Sequence, residues 1–243
     1  MYRHFARVYD LFMGTMPYEH WAGYIDAVFA GHGVPRGGLV LDLACGTGTM
    51  AFLIAQKGYE LIAVDASADM LSEAYNKMHE QANILFLNQD MLKLDLYGTV
   101  DAAYSTCDAM NYILTEEDFG RALKNVALYL NPGGIFIFDL KTEHKYRQLG
   151  SNTYYDYTDA ASYIWKNSYN PCTAINEYQV KFIFHGEGVY SEVHHQRAYS
   201  TKTVSALAQQ AGLRLLSVCD DYSHKPARPD SNRLTYILEG GFK

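Results

Sequence analysis

The chain has little of what metal-bound, disulfide-stapled or membrane-spanning proteins are built from. Its four cysteines, Cys45, Cys107, Cys172 and Cys219, are scattered, with no CxxC pair. That spacing points to neither a disulfide framework nor a zinc site. No apolar run approaches the ~20 residues a membrane helix needs, and Met1-Tyr2-Arg3-His4-Phe5 is not the start of a signal peptide. A reducing, cytoplasmic setting is the expectation. Basic residues are in deficit: 20 Lys and Arg stand against 27 Asp and Glu, a net charge of −7. General affinity for nucleic acid is therefore disfavoured. The one basic concentration, Lys141, His144, Lys145 and Arg147, reads as a solvated loop or helix end. A metal held by His185, His194 and His195 is not expected, because neighbouring strand residues point to opposite faces. Internal repeats and low-complexity tracts are also missing. What remains is 243 residues with 49% hydrophobic content, enough for one α/β domain over 1–243 with an insertion.

That domain is organised around Leu39-Val40-Leu41-Asp42-Leu43-Ala44-Cys45-Gly46-Thr47-Gly48. The apolar run is too short for a helix and reads as a buried parallel strand. Residues 49–57 read as the helix that follows, stopped by Gly58. A glycine turn between strand and helix lets a ligand approach backbone N–H groups closely. Asp65 ends the next apolar strand, where an acid accepts both hydroxyls of a ribose. A nucleoside-containing cofactor follows. Gly46-x-Gly48-x-x-Ala51 also fits the loose dinucleotide fingerprint. Asp42 argues against it: there it would repel a pyrophosphate and welcome a cation. Asp90, after a third strand at Ile84 to Leu87, is placed to accept from an adenine amino group, with Met91 bordering the ring.

LDLACGTG, the VDAS turn, NQDM and the later LNPGGIFIFDL together resemble the class I S-adenosylmethionine-dependent methyltransferases. The resemblance covers roughly residues 2–140 and the C-terminal end. It implies a doubly wound, seven-stranded, mostly parallel sheet of Rossmann-like type, with S-adenosylmethionine as cofactor and S-adenosylhomocysteine as product. It assigns the backbone from Ala44 through Cys45 and Gly46 to Gly48 to the cofactor's methionine and adenosine parts, and Asp42 to its amino group. It gives Asp65 the ribose, with Ala66 and Met70 beside it, and Asp90 and Met91 the adenine. Position 44 is more often glycine in this family, so alanine is a departure.

The remaining segments follow the same frame. Residues 1–34 hold aromatics at helical spacing and read as a helical cover. In many small-molecule methyltransferases such a segment, with a Tyr-Asp pair like Tyr9-Asp10, lies over cofactor and substrate. Tyr18 and Trp21 then either cover the cofactor or simply pack the core. Further helices are expected at 68–80, at 115–130 and, after Ser200-Thr201, up to Gln210, and a fourth strand at 102–105. Asn131-Pro132-Gly133-Gly134 should stop the second of these helices before strand five at 135–138. The closing strands, 213–219 and 233–239, read as an antiparallel pair.

After strand five the pattern switches to period two, predicting an antiparallel β insertion over about 150–199 that lids the strand ends. Strands are expected at 162–166, 178–184 and 189–199, with the last two joined through Gly186-Glu187-Gly188. The backbone near Cys107 should touch the cofactor. Asp108, Asn111 and Tyr112 either face the acceptor or cap the next turn. Glu192-x-His194-x-Gln196-Arg197-x-Tyr199 resembles a subgroup of bacterial small-molecule methyltransferases. Alternation puts Glu192, His194 and Gln196 on one face, a wall for the acceptor pocket with His194 as base, or else a solvated scaffold. The catalytic candidates are thus His194, Glu192 and Asp108, and the partner a small-molecule acceptor. Two other functions fit the residues: a nicotinamide-dependent oxidoreductase, and a cofactor- or partner-binding module without turnover.

Overall fold

The computed structural model describes residues 6–78, 83–157, 161–184 and 188–241. Two helices lead in, α1 (Ala6–Phe12) and α2 (Tyr18–Gly31). Strands and helices then alternate: β1 (Leu39–Leu43), α3 (Thr49–Gln56), β2 (Glu60–Asp65), α4 (Ala68–Asn76), β3 (Ile84–Asn88), β4 (Val100–Ser105), α5 (Glu116–Tyr129) and β5 (Leu130–Lys141). The chain closes with α7 (Thr201–Gln210), β10 (Arg214–Asp220) and β11 (Arg233–Glu239). Between β5 and α7 lie α6 (Glu143–Leu149) and strands β6 (Thr153–Tyr157), β7 (Ala161–Asn170), β8 (Ile175–Phe184) and β9 (Gly188–Arg197).

The main sheet has the order β10-β11-β5-β4-β1-β2-β3. All its pairings are parallel except those of β11, which runs antiparallel to β5 and to β10. This is the expected seven-stranded architecture. Both faces are buried because the strands are apolar at successive positions. Val40, Ala102, Tyr104 and Ile137 pack toward α2 and α3. Leu41, Leu43, Ala103, Phe136 and Phe138 pack toward α5 and α7. Side-chain caps start the helices where the sequence suggests: Ser67 accepts from Met70 N–H, Thr115 from Asp118 N–H and Ser200 from Thr203 N–H.

The antiparallel insertion is a separate sheet, β6-β7-β8-β9. Tyr178, Phe182 and Phe184 are buried along β8 while Gln179 and Lys181 are exposed, as the alternation predicts. Phe12 of α1 meets Tyr163 edge to face, with ring centroids 4.5 Å apart, so the first helix touches the insertion.

Several boundaries differ from expectation. α4 ends at Asn76, short of 80; residues 79–82 lie outside the described part. β5 begins at Leu130, with Asn131 to Gly134 drawn into the strand and a register irregularity opposite Val100/Ala102. Gly133 keeps a left-handed φ of 76° there. β6 and α6 were not expected; Thr142 caps α6 by accepting from Lys145 N–H. Most of the expected turn at 186–188 lies outside the described residues. No helix among the described residues is long and apolar enough to cross a membrane.

Candidate active site

The carboxyl ends of β1, β2 and β4 open onto one cavity of about 830 Å³. Its first wall is the turn after β1. Ala44 adopts φ 65° and Gly46 φ 56°. Alanine therefore accepts the left-handed conformation that glycine would hold without strain. Nothing stands within 4 Å of where a Gly46 Cβ would be, so the chain is open to a ligand at that point. Gly48 serves otherwise: at φ 78°, a Cβ would press on Phe86 and Ala74 at 3.1–3.2 Å, so its bareness lets α3 start against β3 and α4. Gly48 is not on the cavity wall.

Asp65 knits this wall together. Its two oxygens accept from Gly46 N–H and Ser67 N–H, each at 2.8 Å. Burial raises its pKa, and the two N–H groups pull the other way. Each oxygen keeps acceptor capacity for a further donor. Ala66, Met70, Asp90 and Met91 continue the wall. Asp90 accepts from Leu92 N–H at 2.9 Å, which aims the short turn Met91–Lys93. Asp42 lies behind the turn, 1% exposed. The Tyr104 hydroxyl donates to its Oδ2 at 2.8 Å, while Oδ1 has no partner among the described residues. Burial pushes its pKa up to about 8, against the Tyr104 hydrogen bond and with help from the Asp65 charge.

The β4 end is held by a buried charge cluster. Cys107 and Asp108 are both left-handed, φ 58° and 53°. Asp108 N–H donates to Asp139 Oδ2 at 2.9 Å. The Asp108 carboxylate accepts from Arg233 (2.9 Å), Gln196 (2.7 Å) and Lys141 (3.0 Å). Asp139 accepts from Tyr222 at 2.6 Å and also pairs with Arg233. Burial raises the Asp108 pKa, yet Lys141, Arg233 and Gln196 outweigh it and hold the carboxyl below its usual range. Asp108 borders the cavity, but as an anchored anion it makes a poor base. Asn111 is a cross-link: it accepts from Lys141 N–H at 2.9 Å and donates to the Arg197 carbonyl at 2.8 Å. Burial pushes the Cys107 thiol up to about 12, so it stays neutral.

The far half of the cavity lies between α1, the turn after β4 and the insertion. Tyr9, Phe12, Tyr112, Tyr163, Trp165 and Phe182 line it. His194 of β9 is on this wall and almost fully buried, with Glu192 Oε2 3.2 Å from its Nε2. Glu192 is behind His194 rather than on the wall. Gln196 continues the same face inward, where its carbonyl accepts from Tyr146 and Tyr178. His195 pairs with Glu177 on the opposite face at 3.1 Å.

Two cover candidates separate. Tyr18 lines a small side lobe with Cys45 and Ala44, and the Cys107 thiol reaches its hydroxyl at 3.8 Å. Trp21 does not reach the cavity. Its ring stacks on Tyr222 at 4.7 Å and carries the Arg233 guanidinium at 5.2 Å, so it belongs to the core. Asp10 fixes α1 over the glycine turn, accepting from Thr47 and from Lys77, each at 2.6 Å. Arg233, Asp139 and the rings of β7 went unrecognised in the sequence, and Lys141, read there as part of a solvated basic cluster, instead lies 3.0 Å from buried Asp108. An acid closing an apolar strand, as in Phe138-Asp139, is the same signal that marks Asp42, and it was available. Arg233 carries no such mark. Among the described residues, no three His, Cys, Asp or Glu are grouped to hold a metal; His185 lies outside them.

This geometry matches known proteins. Residues 40–134 match the family described as a methyltransferase domain. YqeM of Bacillus subtilis, a candidate methyltransferase by name, is 33% identical over 97% of this chain and 96% of its own. A crystal structure of an S-adenosylmethionine-dependent methyltransferase from Clostridium acetobutylicum superposes with a TM-score of 0.88 at 30% identity, covering 99% of both chains. Mouse glycine N-methyltransferase is 31% identical over 55% of this chain and 50% of its own. The chain belongs to the class I S-adenosylmethionine-dependent methyltransferases. S-adenosylmethionine is its cofactor. The residues present fit that group: an unpartnered buried carboxyl oxygen at Asp42, an open backbone at Gly46, and acids at the ends of β2 and β3. Neither a nicotinamide enzyme nor a binding module without turnover is favoured by these likenesses.

Proposed function

We propose that this methyltransferase acts on a small-molecule acceptor held in the aromatic half of the cavity, with His194 taking the acceptor's proton. The observation that carries this reading is the continuity of one cavity from Gly46, Asp65 and Asp90 to His194 and Tyr112. A volume of about 830 Å³ is in the upper part of the ~300–1,000 Å³ range of small-molecule pockets. The net charge of −7 argues for such an acceptor over nucleic acid. Four cysteines, all free, suit a reducing cytoplasm.

In this reading the backbone at Ala44, Cys45 and Gly46 and the carboxyl of Asp42 receive the methionine part, Asp65 the ribose, and Asp90 with Met91 the adenine. When bound, the cofactor supplies an electrophilic methyl group and a leaving group already activated by its positive charge. The protein's work is then to align the acceptor, exclude water and accept a proton. α1 and the insertion wall exclude water. With Glu192 Oε2 3.2 Å from its Nε2, His194 is the base in this reading and Glu192 its positioning residue.

Calorimetry with S-adenosylhomocysteine and with NAD tests the cofactor half; only the first should bind. His194→Ala should keep S-adenosylhomocysteine affinity within about threefold. Its turnover on an accepted acceptor should fall about 10²- to 10⁴-fold. Unchanged turnover would remove His194 from the chemistry.

A further inference from the structure

We propose that Lys141 selects the acceptor by donating a hydrogen bond to a neutral oxygen, a carbonyl or a hydroxyl, on a molecule whose apolar body lies along Phe182, Tyr163 and Phe12. This rests on the methyltransferase reading and specifies its acceptor. Two independent features of the far chamber support it.

The first is a donor left over. The ionised Asp108 carboxylate can only accept, so the Gln196 amide turns its NH2 toward it, at 2.7 Å. The Gln196 carbonyl then faces Tyr146 and Tyr178, and each tyrosine spends its one hydroxyl hydrogen there. Tyr178 has none left to give, so Lys141 Nζ, 3.4 Å away, is the donor between them. A second Lys141 N–H goes to Asp108 at 3.0 Å. An ammonium carries three such hydrogens. Burial lowers the Lys141 pKa, but the Asp108 carboxylate more than offsets that and keeps the amine charged. The third N–H has no partner among the described residues, while Lys141 borders the cavity and keeps 20% of its side chain exposed. A ligand that displaces water from this donor without replacing its hydrogen bond loses affinity. One that brings an oxygen does not.

Charge decides which oxygen. The buried carboxylates of this cluster, Asp108 and Asp139, are matched by Lys141 and Arg233. Arg233 also stands 3.7 Å from the carboxylate of Asp221. A carboxylate or phosphate on the acceptor would add an anion to a group already balanced, in a largely desolvated place. A neutral oxygen takes the same N–H without that cost.

The second feature is the order of side chains along the wall. Tyr178 stands directly opposite His194 on β9, so ammonium, phenol and imidazole gather at one end. From there β8 runs through Val180 to Phe182, about 13 Å further along the strand. β7 sets Trp165 opposite Val180 and Tyr163 opposite Phe182. Phe12 closes that end against Tyr163. All of these side chains border the cavity. The chamber is polar beside His194 and aromatic away from it, and an oxygen held at Lys141 brings the head of an amphipathic molecule beside the base.

The test uses two matched sets of probes with saturating S-adenosylhomocysteine at pH 7.5: phenylacetamide, 2-phenylethanol, ethylbenzene and phenylacetate; indole-3-acetamide, tryptophol, 3-ethylindole and indole-3-acetate. In the better-bound set, calorimetry should show the amide or the alcohol binding at least about tenfold more tightly than the oxygen-free member, with the carboxylate weaker than that probe. Lys141→Met keeps the length and removes the donor. It should bring the ratio below about threefold while S-adenosylhomocysteine still binds. Tyr178→Phe removes only the neighbouring hydroxyl and should keep the preference. An oxygen-free probe binding as well as its amide and alcohol overturns the inference, and so does a carboxylate binding more tightly than both. A preference that survives Lys141→Met, or vanishes in Tyr178→Phe, overturns it too. Should Lys141→Met fail to fold, the probe series on the parent protein and on Tyr178→Phe decides. Failure of every probe to bind while S-adenosylhomocysteine binds normally also overturns the inference. Failure of S-adenosylhomocysteine itself to bind the parent protein would instead overturn the cofactor assignment.

Discussion

Asp42 is a carboxyl whose chemistry is far from its ordinary value. Burial pushes its pKa up to about 8 in the fold, against ~3.9 in an unfolded chain. A raised carboxyl contributes stability that is complete below the unfolded pKa and is lost as pH climbs through the folded one. Asp42→Asn keeps the shape and removes the titration. The variant's melting temperature should therefore gain on the parent's by several degrees between pH 5 and pH 8, with the gap closing below pH 4. A difference that is flat with pH would show that Asp42 is not buried and neutral. Its position was legible because an acid ends an apolar strand at a glycine turn. Its missing second partner was not, since that depends on what surrounds Oδ1 in three dimensions. Gly48 shows the same boundary: the motif names the glycine, but only packing against Phe86 explains it.

At the level of elements, helix α1 is latched rather than packed. Asp10 reaches Thr47 and Lys77, and the Asp10–Lys77 pair is partly exposed. Exposed pairs are worth about 0–1 kcal/mol, so Asp10→Ala should barely move global stability. It should instead loosen the helix locally, raising amide exchange over residues 6–12 and speeding S-adenosylhomocysteine release. Unchanged exchange there would mean that Phe12 against Tyr163 holds the helix alone. Regular elements were readable when they spanned enough residues to show a period; α7 was expected after Thr201 and up to Gln210, and it is found from Thr201 to Gln210. α6 was not, because in seven residues it buries only Tyr146 and Leu149. β6 is mostly exposed, so its Thr-Tyr-Tyr-Asp-Tyr sequence shows no inside and outside.

For the molecule as a whole, Arg233 is the piece that joins the parts. It neutralises Asp108 after β4 and Asp139 on β5, while Gln196 brings the insertion to the same carboxylate. Removing one partner of a buried charge group costs about 3–5 kcal/mol. Arg233→Met should lower the melting temperature by roughly 6–20 °C, at about 2–4 °C per kcal/mol for a domain of this size. Adding Asp139→Asn should recover part of the loss; a double variant no better than the single would remove charge as the cause. The fold was legible from strand and helix order alone. This cluster was not, because it depends on side chains that meet across the sheet from distant positions.

That distance has a consequence for how the protein comes into being. Asp108 and Arg233 are 125 residues apart in the chain. At ~5–20 residues per second of synthesis, the arginine is joined to the chain roughly 6–25 s after the aspartate it will neutralise. Once β5 is complete Lys141 is available to Asp108, yet Asp139 still waits for Arg233. The nascent first half can collapse its apolar layers but gains nothing by burying that acid. Locking of the turn after β4 against β5 is therefore deferred to β11.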